Sequence, residues 1–308
     1  MIGLLTNRNF IFLLAVGLGL AFPQIAGWTE PVSLPALALA MMLAALNVPN
    51  DFFGTPKALI RPAFVGIMMT YAIQGGLLIL MSSLIISDQN LWIGLVLVAV
   101  SPTAVAVIPF TGILDGNIAY SLVGTVAAYL AALVIMPLVF LLVLGVNIAN
   151  PGKLVGIMLE LIVLPLILSR IIIYLNIQNY LTKYRGVITD WSFFIVLYTI
   201  IGLNRDLIFS KPQMIMPIAA IFFISIFFLG YLIEKAGIIF KVDQNNTVSL
   251  MLLGTLKNQG IAGGLAISLF PRETAFPAAV SSMVMILFLI WLDIRKKWHF
   301  QKNANLKD

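Results

Sequence analysis

The 308 residues are 61% hydrophobic and only 10% charged, against roughly 25% charged in a soluble domain, so the sequence reads as a polytopic membrane protein lodged in a lipid bilayer. The net charge of +6 does not point to nucleic acid, because the basic residues fall at the ends of apolar segments, where they set topology. There is no cysteine, and His299, in the C-terminal tail, is the one histidine; disulfides, thiol chemistry and His- or Cys-ligated metals drop out, and no cofactor is expected.

The opening run, MIGLLTNRNFIFLLAVGLGLAF, has the charge pattern of a signal peptide but no clean small-x-small cleavage site, and is read as a retained first span. A span needs ~20 apolar residues. Spans are predicted near 10–26, 33–48, 62–86, 91–113, 118–146, 153–175, 187–203, 212–233, 246–270 and 276–294. Turn-rich breaks separate them: Pro49-Asn50-Asp51, Ser87-Asp88-Gln89-Asn90, Asp115-Gly116-Asn117, Asn150-Pro151-Gly152 and Pro271-Arg272-Glu273.

Ten spans put both termini on one side. With the termini cytoplasmic, the inner face holds Arg8, Lys57, Arg61, Arg170, Lys183, Arg185, Lys235, Lys241, the run from Arg295 to Lys297, Lys302 and Lys307. The outer face holds Lys153, Arg205, Lys211 and Arg272. That asymmetry favours a multi-pass protein of the cytoplasmic membrane with both termini inside. Trp28, Trp92, Trp191 and Trp298 sit at span ends as interfacial anchors, and Asp190 is expected to be a solvated boundary residue.

The chain divides at Asn150-Pro151-Gly152 into residues 1–150 and 151–308, five spans each. An odd number per half makes the halves inverted repeats, a plan of secondary transporters whose sites lie where discontinuous helices meet. The fourth and ninth spans fit that part. Pro102 and Pro109 each remove a backbone donor from the fourth, with Thr103 beside the first break. The ninth carries Lys257-Asn258-Gln259-Gly260 at its middle. An ionisable group at membrane depth costs ~3 kcal/mol on insertion scales and marks a functional path. Unwound backbone there is tolerated only where protein or a water-filled cavity satisfies it. The fold class is therefore an all-α membrane protein of ten transmembrane helices, an inverted 5+5 repeat with discontinuous fourth and ninth helices.

At these two segments the chain resembles the bile acid:sodium symporter family and its wider ten-span superfamily. The likeness is clearest at NQGIAGGLAISLF, residues 258–270, and at SPTAVAVIPFTGILDGNIAYSL, residues 101–122. The family's Pro-Gly-Gly start reads Pro102-Thr103-Ala104 here, and its Arg-Gly-Asn turn reads Asp115-Gly116-Asn117. The resemblance implies a core of spans three to five and eight to ten, with the fourth and ninth crossing at their breaks. It also implies a panel made of the first two spans of each half, with substrate bound between core and panel. It places the family's sodium ligands at Leu253, Val107, Ile108 and near Thr70, with Lys257 where the family has a Gln. Leu253, Val107 and Ile108 offer no side-chain oxygen to a hard cation. Sodium coupling is accordingly in doubt and no metal site is expected.

The function expected is secondary transport, by alternating access, of a small organic anion. Thr103, Pro102, Lys257, Asn258, Gln259 and Gly260 are the expected substrate-binding or coupling residues. Lys257 has four readings. It stands in for sodium and offers three donors to backbone carbonyls; it loses and regains a proton in each cycle, giving proton-coupled symport or cation/proton antiport; it contacts an anionic substrate; or it pairs with a buried acid and braces the fold. Glu160, about seven residues into the sixth span, is the acid best placed for such a pair, and equally well placed to face an aqueous cavity. A transport-inactive membrane sensor or partner subunit is the rival class. An enzyme is not expected, because paired catalytic carboxylates, HExxH and catalytic Cys or His are all missing. Thr125, Tyr129, Ser281 and Ser282 are further candidates to line the core.

Overall fold

A computed structural model describes residues 4–46, 56–104, 106–144, 152, 156, 159–210 and 212–304. The predicted turn at Pro49-Asn50-Asp51, the division between Asn150 and Pro151, and Lys153, Lys211 and Lys307 lie outside them. The described residues are mostly helical and none of them forms a strand.

Helix α1 (Arg8–Ala21) starts where the Asn7 side chain accepts from the Phe10 N–H at 3.1 Å. It stops at Phe22, and a single 3₁₀ turn, Pro23–Ile25, leads into α2 (Ala26–Ala45). Helix α2 thus begins well before the residue near 33 expected from sequence. Pro31 and Pro35 lie inside it, four apart, so their missing donors fall on one face and the helix continues past them.

The third apolar segment is not a plain helix. Helices α3 (Pro56–Ile67) and α4 (Gly76–Ile85) are joined by a π-helical stretch, Met68–Gly75, for which MMTYAIQG gives no sequence signal. Asp88 caps α5 (Gln89–Val100), α6 (Val107–Ile113) follows after an interruption that begins at Ser101, and Asn117 caps α7 (Ile118–Val139). Further along are α8 (Leu164–Tyr174), entered by a π turn at Leu159–Val163, α9 (Gln178–Thr182), α10 (Arg185–Leu203) and α11 (Arg205–Ser210). Then come α12 (Pro212–Phe223) and α13 (Leu229–Ile239), joined by a π turn, α14 (Gln244–Leu253), α15 (Gln259–Leu269) and α16 (Phe276–Ala304).

Among the described residues, six stretches are long and apolar enough to cross a membrane: Pro23–Leu43, Leu59–Ile85, Ile118–Leu142, Arg185–Leu203, Gln213–Ile239 and Arg272–Lys296. Shorter apolar helices are Phe10–Ala21, Gln89–Val100 and Gln259–Leu269. The last two are halves of interrupted segments.

The helices pack in two groups. A smaller group joins α1, α2, α8 and α10; a larger one joins α3 to α7 with α12 to α16. The groups meet where α10 and α1 touch α16 and where α2 and α10 touch α15. That seam is made of small residues: a Cβ on Gly260 would lie 2.9 Å from Leu37 of α2, one on Gly264 2.8 Å from Leu34, and one on Gly263 would strike the Ile200 side chain of α10.

Asp190 corrects its expected role. It is 5% exposed and pairs with Arg8 at 2.6 Å, because the start of α10 lies against the start of α1. A carboxylate so far from solvent persists only with such a partner. Of the tryptophans, Trp28 is open, Trp92 donates to Ser83 Oγ at 3.2 Å and Trp191 donates to the Leu5 carbonyl at 3.2 Å.

Candidate functional site at the crossing of two broken helices

The site forms where two helices lose their regular hydrogen bonding. Helix α5 ends at Val100 because Pro102 has no N–H to continue it. Helix α14 ends at Leu253, and α15 restarts after Asn258, whose Oδ1 accepts from the Ile261 N–H at 3.0 Å. The two gaps lie side by side. The Ala104 N–H donates to the Leu256 carbonyl at 2.9 Å and the Asn258 N–H to the Pro102 carbonyl at 2.8 Å, so Thr103 and Lys257 face each other in an antiparallel bridge. The Thr103 hydroxyl also donates to Leu256 O at 3.0 Å. Each gap thus satisfies the other's backbone, which unwound chain at membrane depth requires. Pro109, expected as a second break, is not one. It is the third residue of α6, inside the first turn, where a backbone N–H has no partner within the helix to lose.

Lys257 is 1% exposed. Its ammonium donates to three backbone carbonyls: Thr70 at 2.7 Å, Ala99 at 2.6 Å and Ser101 at 3.0 Å. The Tyr71 ring centroid lies 4.9 Å from Nζ. The Ala99 carbonyl belongs to the last turn of α5 and Ser101 is its C-cap. These are groups without an intrahelical partner, at the helix end whose dipole favours a cation. Thr70 belongs to the π stretch, brought close because Gly75 carries no Cβ: one there would lie 2.7 Å from the Ala99 oxygen. Three donors meet three acceptors, and among the described residues no carboxylate forms an ion pair with Lys257.

Around this cage, Thr70 Oγ1 donates to Leu253 O at 3.3 Å and Gln74 Nε2 to Thr255 O at 2.6 Å, while Gln74 Oε1 is buried without a partner. Leu253 and Val107 are buried; the Leu253 side chain fills the space left by Gly124. Glu160 is exposed on the π turn before α8, and the structure does not bring it to Lys257.

Asn258 and Gln259 face another way. Asn258 Nδ2 donates to Tyr129 Oη at 2.9 Å and approaches Met41 Sδ of α2 at 3.6 Å, and Gln259 Nε2 donates to Ser281 Oγ at 3.2 Å. With Gly260 they border a cavity of about 30 Å³ on the seam between the helix groups. Its other walls are Ala104, Ala106, Met285, Phe12, Phe193, Val196 and Leu197. Lys257, Pro102 and Thr103 do not line it. Thr125 is buried with its hydroxyl unpartnered, and Ser282 turns back onto its own helix. Tyr129, expected to line the core, does so as the acceptor of Asn258, and Gln74 and Tyr71 join the site without a motif of their own; a Gln in an apolar run is the same kind of signal as Lys257, and Gln74 carries it.

The profile of the Sodium Bile acid symporter family matches residues 34–211, more than half of the chain. The chain belongs to this family. It is 22% identical over 302 residues to "Uncharacterized sodium-dependent transporter YocS" of Bacillus subtilis (strain 168), covering 94% of this chain and 92% of that one. It is 23% identical over 272 residues to "Probable sodium/metabolite cotransporter BASS1, chloroplastic" of Arabidopsis thaliana, covering 86% of this chain and 67% of that one. Membership in a transporter family, together with the six long apolar helices, makes this chain a multi-pass membrane transporter.

Proposed function

We propose that the protein is a ten-span secondary transporter of a small organic solute, working by alternating access with Lys257 in place of a bound sodium ion. The observation that carries this reading is the ammonium held by three backbone carbonyls at the crossing. A fixed positive charge at 2.6–3.0 Å from three oxygens supplies what a bound monovalent cation would: charge neutralisation of helix-end carbonyls and a tie between two broken segments. The names of the two relatives mention sodium. In this chain Leu253 and Val107, where the resemblance puts sodium ligands, have apolar side chains, and Lys257 occupies the carbonyls.

The ten spans are α1, α2, α3 with α4, α5 with α6, α7, α8, α10, α12 with α13, α14 with α15, and α16. They form two inverted halves, residues 1–150 and 151–308, in the cytoplasmic membrane with both termini inside. The smaller helix group is the panel and the larger the core. A cavity of about 30 Å³ holds roughly two water-sized spheres and no organic solute, so solute entry requires core and panel to separate along the glycine seam. Asn258, Gln259 and the N-terminus of α15 then meet the solute, and the helix dipole draws an anionic group. Thr103 and Pro102 hold the crossing together. Glu160 faces solvent or headgroups at the panel's edge.

The test is uptake in proteoliposomes with sodium and proton gradients imposed separately. Candidate carboxylates come first from a thermal-shift screen of wild type against Lys257→Met. Uptake without sodium that is lost in Lys257→Met supports the reading. Uptake driven by sodium that survives Lys257→Ala would overturn it. Uptake driven by a proton gradient and varying between pH 5 and 9 assigns proton coupling to Lys257 instead. Binding without flux assigns a sensor.

A further inference from the structure

Two contacts outside the cavity lining join the helix groups, one on each side of the crossing. On one side Glu30, in the second turn of α2, meets Arg272, in the 3₁₀ turn Arg272–Ala275 between α15 and α16, with Oε2 and Nη2 3.4 Å apart. This ion pair joins the smaller helix group to the larger. The pairs Arg8–Asp190, Glu234–Arg295 and Asp115–Lys296 each stay within one group, and Arg205–Asp206 joins neighbours within α11.

On the other side Arg8 of α1 is fixed by Asp190 of α10 and lays its guanidinium over the Phe110 ring of α6, 5.9 Å from the centroid. One turn further in, Phe12 and Phe193 meet edge to face at 6.3 Å and form the adjoining wall of the cavity. Here too a charged side chain crosses from the smaller group to the larger. Both bridges are weak by kind: an exposed ion pair and one cation–π contact each hold little free energy. Weak, separate contacts between the groups on the two sides of the crossing are what a path open to one side at a time needs.

We infer that Glu30–Arg272 and Arg8–Phe110 are the two gates of the transport path, both of them made in this structure. The inference rests on the proposed movement of core against panel. Asp190 is a positioning residue for Arg8.

The chain has no cysteine, so a single Met285→Cys on the cavity wall reports access without interference. Labelling by a membrane-impermeant maleimide is followed in sealed vesicles of both orientations, without solute or ion gradient. Glu30→Gln and Arg272→Gln are expected to speed labelling about threefold or more from the Arg272 face only, the population change an exposed ion pair holds. The charge reversal Glu30→Arg with Arg272→Glu is expected to return it to the slow rate. Phe110→Leu, which keeps an apolar side chain and removes the ring, is expected to speed labelling from the opposite face only. Unchanged labelling in all these variants, or equal acceleration from both faces, would overturn the gates. Because no flux is read, failure here leaves the Lys257 reading standing, and a protein that carries nothing can still show sided gates.

Discussion

Thr103 and Lys257 face each other in the one antiparallel bridge among the described residues. Their backbones tie two interrupted helices together, and the lysine side chain then passes back to the end of one of them, where Ala99 and Ser101 present free carbonyls. The bridge sets the register and the ammonium neutralises the helix end, so the two effects reinforce each other.

Removing the ammonium leaves three buried carbonyls without their donors. Lys257→Met is expected to destabilise the protein by at least ~2 kcal/mol, given about 1–3 kcal/mol for each buried polar group left unpaired. Lys257→Ala leaves room as well. Its thermal midpoint is expected to rise with added methylammonium, while that of wild type stays flat. Parallel responses in the two proteins would show that the carbonyls do not act as a cation site.

Sodium is expected not to stabilise the wild-type protein specifically. Thermal unfolding in sodium chloride and in choline chloride at equal ionic strength should give the same midpoint, since a ligand that binds the native state raises it by mass action. A saturable, sodium-specific rise would restore the coupling that the relatives' names mention.

Gly75→Ala tests the close approach of the π stretch to α5. The added Cβ would lie 2.7 Å from the Ala99 oxygen, so that carbonyl must shift away from Lys257. A loss of about 1–3 kcal/mol is expected, typical of overpacking. In a double-mutant cycle it should be less than additive with Lys257→Met, because both act on one set of contacts. Strict additivity would separate the glycine from the cage.

Tyr129→Phe removes the 2.9 Å acceptor of Asn258 Nδ2 and leaves that group only Met41 Sδ at 3.6 Å. The expected cost is ~1–2 kcal/mol. Asn258→Ala should cost more, since it also removes the cap of α15, worth ~1 kcal/mol. Chemical denaturation ranks the two, and the reverse order would deny Asn258 its double role.

Much of this was open to reading from the residues. A lysine in an apolar segment, prolines in another and a cluster of glycines after the lysine each carry their meaning in their identity, because charge, a missing N–H and a missing Cβ act wherever they stand. The break at Pro102 and the one before Asn258 were legible for that reason. Pro109 was not, since a proline breaks a helix only past its first turn, and where that turn falls depended on where α6 starts, at Val107. Asp190 looked like a boundary residue until the packing of α1 on α10 supplied Arg8.

By itself, the sequence determined that this is a multi-span helical membrane protein and that Lys257 is its costly residue. Only the tertiary structure decided what balances that residue. The three partners are backbone carbonyls, which every residue carries and which become available only through a π-helical stretch and a helix end. No pattern of side chains records that. It also decided that Lys257 faces away from the cavity while Asn258 and Gln259 border it, because the extended bridge turns Asn258 to the side opposite Lys257 and the start of the helix at Gln259 ends that alternation.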